Sequence, residues 1–192
     1  MGMDNVHDIG KGLSYPAKKN ALRQQKSLVI AIFHCPSRRR AIGYPAVETS
    51  LNADQPGTLA KTDYAANGGT YQFLGQGPLS LSCATNFPNC TWEIIGHGTP
   101  NYQGVVNLTR RYFDGISGIM SEVRPAHITD GLTQTFFAGE KYLNPEKYMT
   151  GDDGADNNSL YQGNDWDTNR WCTQSWRPSQ DTPGYDTMSS RF

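Results

Sequence analysis

Twenty glycines and eleven prolines punctuate the chain from end to end, and that spacing argues against long helices. Glycine costs a helix backbone entropy, and proline removes a donor and clashes with the preceding turn. Asn, Asp, Ser and Thr fill much of the remainder. Their side chains compete for backbone hydrogen bonds and so favour turns. Apolar residues make up only 36% of 192 residues, while aromatics reach 11%. The aromatic content excludes a disordered chain, and it gives Tyr, Trp and Phe much of the area available for burial. The length fits one domain, 1–192. The expected fold class is α+β: a short N-terminal helix plus a small antiparallel β-sheet with long loops.

The pattern predicts a helix over Pro16–Ser27, with Pro16 in the first turn and Ala17, Ala21 and Leu22 on one side. Leu28–Phe33 is the longest apolar run, and Leu28–His34 reads as a buried extended segment ending at Cys35-Pro36-Ser37. Ala41–Lys61 reads as loop. Strands are expected at Asp63–Ala66, Gly104–Leu108, Thr133–Ala138 and Thr168–Thr173, with a strand or bridge at Arg124–Ile128. Gly151–Asp167 reads as loop, and the ends, 1–12 and 177–192, as flexible.

Charge excludes some partners. Seventeen basic and eighteen acidic residues leave a net charge of −1, and the longest run of one sign is Arg38-Arg39-Arg40. Bulk attraction to nucleic acid or to an anionic membrane is not indicated. No apolar stretch is long enough to span a bilayer, and Met1–Gly12 lacks the zones of a signal peptide. The four cysteines show no Cys-x-x-Cys spacing, which argues against structural zinc. Cys83 and Cys90 enclose a polar, Pro-containing loop that suits a local disulfide, leaving Cys35 and Cys172 to pair by elimination. The alternative is four free thiols.

Four constellations carry chemistry. The acidic loop offers Asp152, Asp153, Asp156, Asn157, Asn158, Asp165 and Asp167. Calcium takes six to eight oxygen ligands from loops of this composition, although the spacing is not that of an EF-hand. The other reading is a solvated loop of turn-forming Asx residues. Asp130 and Glu140 could form a carboxylate pair for hydrolysis. Without a nucleophile–base motif, the better reading is a turn at Asp130-Gly131 and a pairing of Glu140 with an arginine. His34 neighbours Cys35 but would point to the opposite face of a strand, against a Cys–His nucleophile. Trp166, Trp171 and Trp176 recur at five-residue spacing. They read as a platform for carbohydrate or protein, or as core packing, which average Trp burial favours.

Four segments together carry a resemblance. They are Phe33-His34-Cys35-Pro36-Ser37-Arg38-Arg39, then Asp63-Tyr64-Ala65-Ala66-Asn67-Gly68-Gly69. The third runs from Ile128-Thr129-Asp130-Gly131 to Ala138-Gly139-Glu140-Lys141-Tyr142-Leu143. The fourth is Asp156-Asn157-Asn158-Ser159-Leu160-Tyr161 with Thr168-Asn169-Arg170. In this order the chain resembles the DUF1559 family of planctomycete-type bacteria, whose members carry a prepilin-like N-terminal cleavage and methylation signal. The family motif then falls on Cys35, Pro36, Ser37, Asp130, Gly131, Gly139 and Glu140. Leu132-Thr133-Gln134-Thr135 departs from the Thr-Ser-Asn-Thr usual after that Asp-Gly.

The resemblance implies a pilin-like sheet and a chain lacking two family segments, the anchor helix and a closing His-containing segment with an Asp-Gly-Ser-Val strand. It also implies an extracytoplasmic, non-enzymatic structural or adhesive head of a pseudopilin-like surface protein. Its partners would be copies of itself or surface molecules, and it would reach the membrane only through that missing helix. The acidic loop is similar in general style to calcium-binding loops of secretion pseudopilins. A secreted carbohydrate- or protein-binding module is the alternative, and a carboxylate-based hydrolase the remote one.

Overall fold

The computed structural model describes residues 3–50, 53–70, 114–118, 122–163, 165–175, 177–184 and 192. The strand expected at Gly104–Leu108, the pair Cys83 and Cys90, and Trp176 lie outside the described residues.

Helix α1 spans Tyr15–Lys26, one residue ahead of the expected limits. Ser14 enters it extended, Pro16 sits in its first turn, and Arg23 and Lys26 lie in its last turn, where the helix dipole favours cations. The Ser27 N–H donates to Gln24 O at 3.2 Å and closes the helix. A 3₁₀ helix, Met3–Asp8, precedes it. Gln25 Nε2 donates to Val6 O at 2.7 Å, so the segment read as flexible is fastened to α1.

The apolar run after α1 departs from expectation. Ala31–Phe33 forms a 3₁₀ helix rather than part of a buried strand, and Ile32 and Phe33 are exposed. The His34 N–H turns back to Ala31 O and the Arg38 N–H to Cys35 O, each at 3.0 Å. The segment docks through one bond, Asp63 N–H to Phe33 O at 2.8 Å, and no strand pairs along it among the described residues.

The region read as loop, Ala41–Lys61, contains a two-stranded ribbon. Strand β1, Gly43–Pro45, pairs antiparallel with β2, Thr58–Ala60, with Tyr44 opposite Leu59. Gly43 and Pro45 are poor strand formers, which hid β1. The ribbon exists because Tyr44, Leu59 and Ala60 are buried.

A second sheet has the order β4-β3-β5, with β3 at Tyr64–Asn67, β4 at Ala138–Glu140 and β5 at Asn169–Arg170. The β3–β4 pairing is antiparallel, but β3–β5 is parallel, so this sheet is mixed rather than antiparallel throughout. The fold is nevertheless α+β: one α-helix with small sheets among the described residues. Two expected strands shift. Arg124–Ile128 is a 3₁₀ turn at Pro125–His127, because Pro125 suits a helical first position. Thr133–Ala138 becomes turn up to Phe137, and pairing starts only at Ala138. The last strand shrinks from Thr168–Thr173 to two residues.

Where β3 ends, Asn67 O accepts the N–H groups of Ile116 and Ser117. Thr70 grips Asp114 twice, N–H to Oδ1 at 2.7 Å and Oγ1 to Oδ2 at 2.5 Å. Residues 70 and 114 therefore lie side by side. The approach needs glycines: a Cβ on Gly115 would collide with the backbone of Gly68 and Gly69.

The interior is unusually polar. Among the described residues, fifteen buried polar or charged residues stand against eleven buried apolar ones, so the sheets do not close over a purely oily core.

Candidate functional site: a buried ionic cluster

The turn after Cys35-Pro36 sends two arginines inward. Cys35 O accepts from both Arg38 N–H and Arg39 N–H, and the Cys35 N–H donates to Asp63 Oδ2 at 2.8 Å. Arg39 meets Asp63 Oδ1 through Nε at 2.7 Å. Its two terminal nitrogens grip Asp156, Nη1 to Oδ2 at 2.5 Å and Nη2 to Oδ1 at 3.1 Å. Its guanidinium lies 4.8 Å from the centre of the Tyr44 ring. Such a two-pronged fork is the strongest pairing available to a carboxylate.

Three further cations close around the same loop. Lys141, just past β4, donates to Asp156 Oδ1 at 2.6 Å and to Asp167 O at 3.1 Å. Lys61, just past β2, donates to Asp156 O. Arg170, on β5, donates to Ala155 O at 3.0 Å and to Trp166 O. Asp153 accepts one N–H on each oxygen, from Asn144 and from Ala155.

The charges balance. Arg39, Lys61, Lys141 and Arg170 face Asp63, Asp153, Asp156 and Asp167, and none of the eight is more than 6% exposed. Burying ions is costly unless each finds its counter-charge and hydrogen bonds. Burial alone would raise the Asp156 carboxyl, but Lys141, Arg39 and Lys61 together hold it well below the usual carboxylate range. Burial lowers Lys141 and Lys61, with Asp156 opposing in both cases. Burial also lowers Arg170 to about 10.

An outer layer ties down the C-terminal segment. Arg38 Nη2 reaches Asp181 Oδ2 at 3.0 Å and Glu140 Oε2 at 3.7 Å, and also donates to Lys141 O at 2.8 Å. Asp181 accepts the Leu143 N–H at 2.8 Å and the Tyr148 hydroxyl. Burial, reinforced by that hydrogen bond, pushes Tyr148 up to about 12. The segment from Arg177, read as flexible, is thus anchored at Asp181, and the Phe192 ring packs on Gly139 and edge-on to Phe136.

Every segment that carried the resemblance contributes to this cluster, and a family model described as "Protein of unknown function (DUF1559)" matches residues 6–191. The chain belongs to the DUF1559 family. No curated protein and no solved structure matches it.

In this DUF1559 protein the motif residues divide between burial and surface. Cys35 is buried, with its thiol 3.1 Å from Ser37 Oγ, and Pro36 and Ser37 form the turn that launches the arginines. Asp130 is exposed, and Gly131 holds φ +91° as the turn requires. Glu140 is exposed and has an arginine partner, Arg38, as the sequence suggested.

Three site assignments are corrected. The acidic loop does not present Asp152, Asp153, Asp156, Asn158, Asp165 and Asp167 as one calcium ligand set. Asp156 is committed to Arg39 and Lys141, Asp153 to backbone donors, and one oxygen of Asp167 to the Asn158 N–H at 2.8 Å. Among the described residues no group of three or more His, Cys, Asp or Glu is placed to hold a metal ion. Adding calcium and then chelator is expected to leave the melting temperature of the non-reduced protein unchanged within about 1 °C. A reproducible upward shift with calcium would restore the ligand set.

The second correction concerns the tryptophan platform. Trp171 is buried beneath Gly68, whose Cβ position would lie 2.6 Å from the indole nitrogen, and Trp166 is half-buried. Trp171 is core, not a docking surface. Third, Cys35 and Cys172 are free thiols rather than a bridge. The Cys35 N–H is held by Asp63 and the Cys172 N–H by Gly69 O, so each backbone is fixed by its own partner.

From the sequence Arg39 enters only as part of a charge run and a resembling segment, and Lys61, Asp63, Lys141 and Arg170 are not singled out as site residues at all. The signal was present: each is a charged residue inside or beside a segment of strand-forming residues, where exposure of the charge conflicts with burial of its neighbours.

Proposed function

We propose that this DUF1559 protein is a non-enzymatic structural or adhesive head that works outside the cytoplasmic membrane, as part of a pseudopilin-like surface protein. One observation carries the reading. The charged residues of the family segments pair with each other at the centre of the molecule instead of facing a substrate. Arg39, Lys141 and Asp156 are committed to one another, and their role is to hold loops together. Asp130 sits in an exposed turn and Glu140 against Arg38, an arrangement that favours shape over turnover.

A second reading, a protein-binding module, draws on the exposed apolar side chains of Leu132, Phe136 and Phe137 between that turn and β4. In a head of this kind such a surface serves contact with a neighbour. The test is labelling of intact cells of the source bacterium with a membrane-impermeant amine reagent, followed by recovery of the full-length protein. Labelling of the exposed lysines Lys11 and Lys18 without lysis is the expected result. Labelling only after lysis would overturn the surface assignment.

A further inference from the structure

Of the four buried carboxylates, Asp167 is the worst provided for. Asp63 and Asp156 have cations at ion-pair distance, and Asp153 has a donor on each oxygen. Asp167 has one backbone donor, the Asn158 N–H, on Oδ1. Its Oδ2 is buried without a hydrogen-bonding protein donor, and four more buried polar atoms in the same stretch share that condition: the acceptors Asn158 Oδ1 and Asn169 Oδ1 and the donors Arg170 Nε and Trp171 Nε1. The local chain enforces this. Thr168 N–H and Asn169 N–H both turn back to Asp165 O, at 3.1 and 2.8 Å, which fixes Asp167 in the turn. Lys141 spends its ammonium group on the Asp167 backbone oxygen rather than on the carboxyl.

We infer that Asp167 is a proton-binding site of the folded head: its buried carboxyl, with one oxygen lacking a protein donor, takes up a proton in mildly acidic medium. An ionised carboxylate with an unpaired oxygen in a dry interior is costly, whereas a neutral carboxyl is far less so. The groups acting on it are Lys141, Asp165, Asp156 and Lys61, with Arg170 beside them on β5. The two carboxylates oppose a charge on Asp167, and the cations favour it.

Burial, the largest influence, raises Asp167 to about 6, and raises Asp165 as well. An aspartate in the unfolded chain titrates near 3.9. The folded state therefore binds a proton that the unfolded state does not, between roughly pH 4 and 6. This group's stabilisation is complete below about pH 4 and is lost as pH rises through about 6.

The experiment is thermal unfolding of the whole protein and of Asp167→Asn between pH 7.5 and 5, with titration of side-chain carboxyl carbons by NMR. Asparagine keeps the acceptor for the Asn158 N–H and carries a permanent donor in place of the proton. The natural protein is expected to gain stability on acidification, by about 10-fold in its folding equilibrium from this one group at pH 5, with about 100-fold approached only below pH 4. Asp167→Asn is expected to match or exceed it at pH 7.5 and to lose that gain. A carboxyl resonance titrating near pH 6 is expected in the natural protein and should be missing from the variant. An unchanged pH slope in Asp167→Asn would overturn the inference. So would NMR showing Asp167 titrating near 4, which decides the matter even if the variant fails to fold.

Discussion

Replacement of Arg39 by leucine is expected to cost the folded state about 3–5 kcal/mol, the usual penalty for stranding the partner of a buried ion pair. Of the four cluster cations, Arg39 alone contacts two carboxylates among the described residues, Asp63 and Asp156. Leucine would leave Asp63 with the Cys35 N–H and a distant Arg38 nitrogen at 3.9 Å. The Asp156 carboxylate would keep only Lys141 at contact distance. For a chain of this length the loss corresponds to a fall in melting temperature on the order of 10 °C, readable by calorimetry. Arg39→Lys is expected to recover little, since an ammonium group cannot bridge both carboxylates with a planar fork. A leucine variant melting within a degree or two of the natural protein would mean that the cluster does not hold the fold.

The same cluster sets the acid limit. Asp156 is held below the ordinary range, so its contribution is present above about pH 4 and is lost as pH falls further. Asp167 acts with the opposite sign. The two limbs together predict greatest stability in mildly acidic medium.

Gly115→Ala is expected to cost about 3 kcal/mol or more, at the upper end of what overpacking does. The methyl group would strike backbone atoms of Gly68 and Gly69, which cannot swing away as a side chain can. The neighbourhood cannot relax cheaply. Asn67 O holds Ile116 and Ser117, and Thr70 holds Asp114, so parting the two strands of chain breaks these bonds together. Gly57→Ala is the control: it has open space, needs no positive φ, and should be neutral within about 0.5 kcal/mol. Chemical denaturation of both variants checks the contrast. Equal stability of the two would show that the close approach is not maintained in solution.

Some of this was legible along the chain. The helix at Tyr15–Lys26 was legible from Pro16 in its first turn and from Ala17, Ala21 and Leu22 on one side, all local signals. Strand β3 was likewise legible to within a residue, expected at Asp63–Ala66 and found at Tyr64–Asn67. The family segments marked which stretches matter and in what order. They did not reveal that the charged residues within them bind each other.

That was decided by tertiary structure. Arg39 and Asp156 are 117 positions apart, and no periodicity relates them. The parallel pairing of β3 with the two-residue β5 depends on Asn169 and Arg170 being delivered by the acidic loop, whose Asp156 is paired with Arg39 and Lys141. Ile32 and Phe33 look like core in sequence, yet the places beside β3 go to β4 and β5, and the apolar run is left outside. Acidic residues in a loop suggested calcium because, in sequence, only their own chemistry is visible. The lysines and arginines that take the place of the metal come from distant segments, and only folding brings them to the same point.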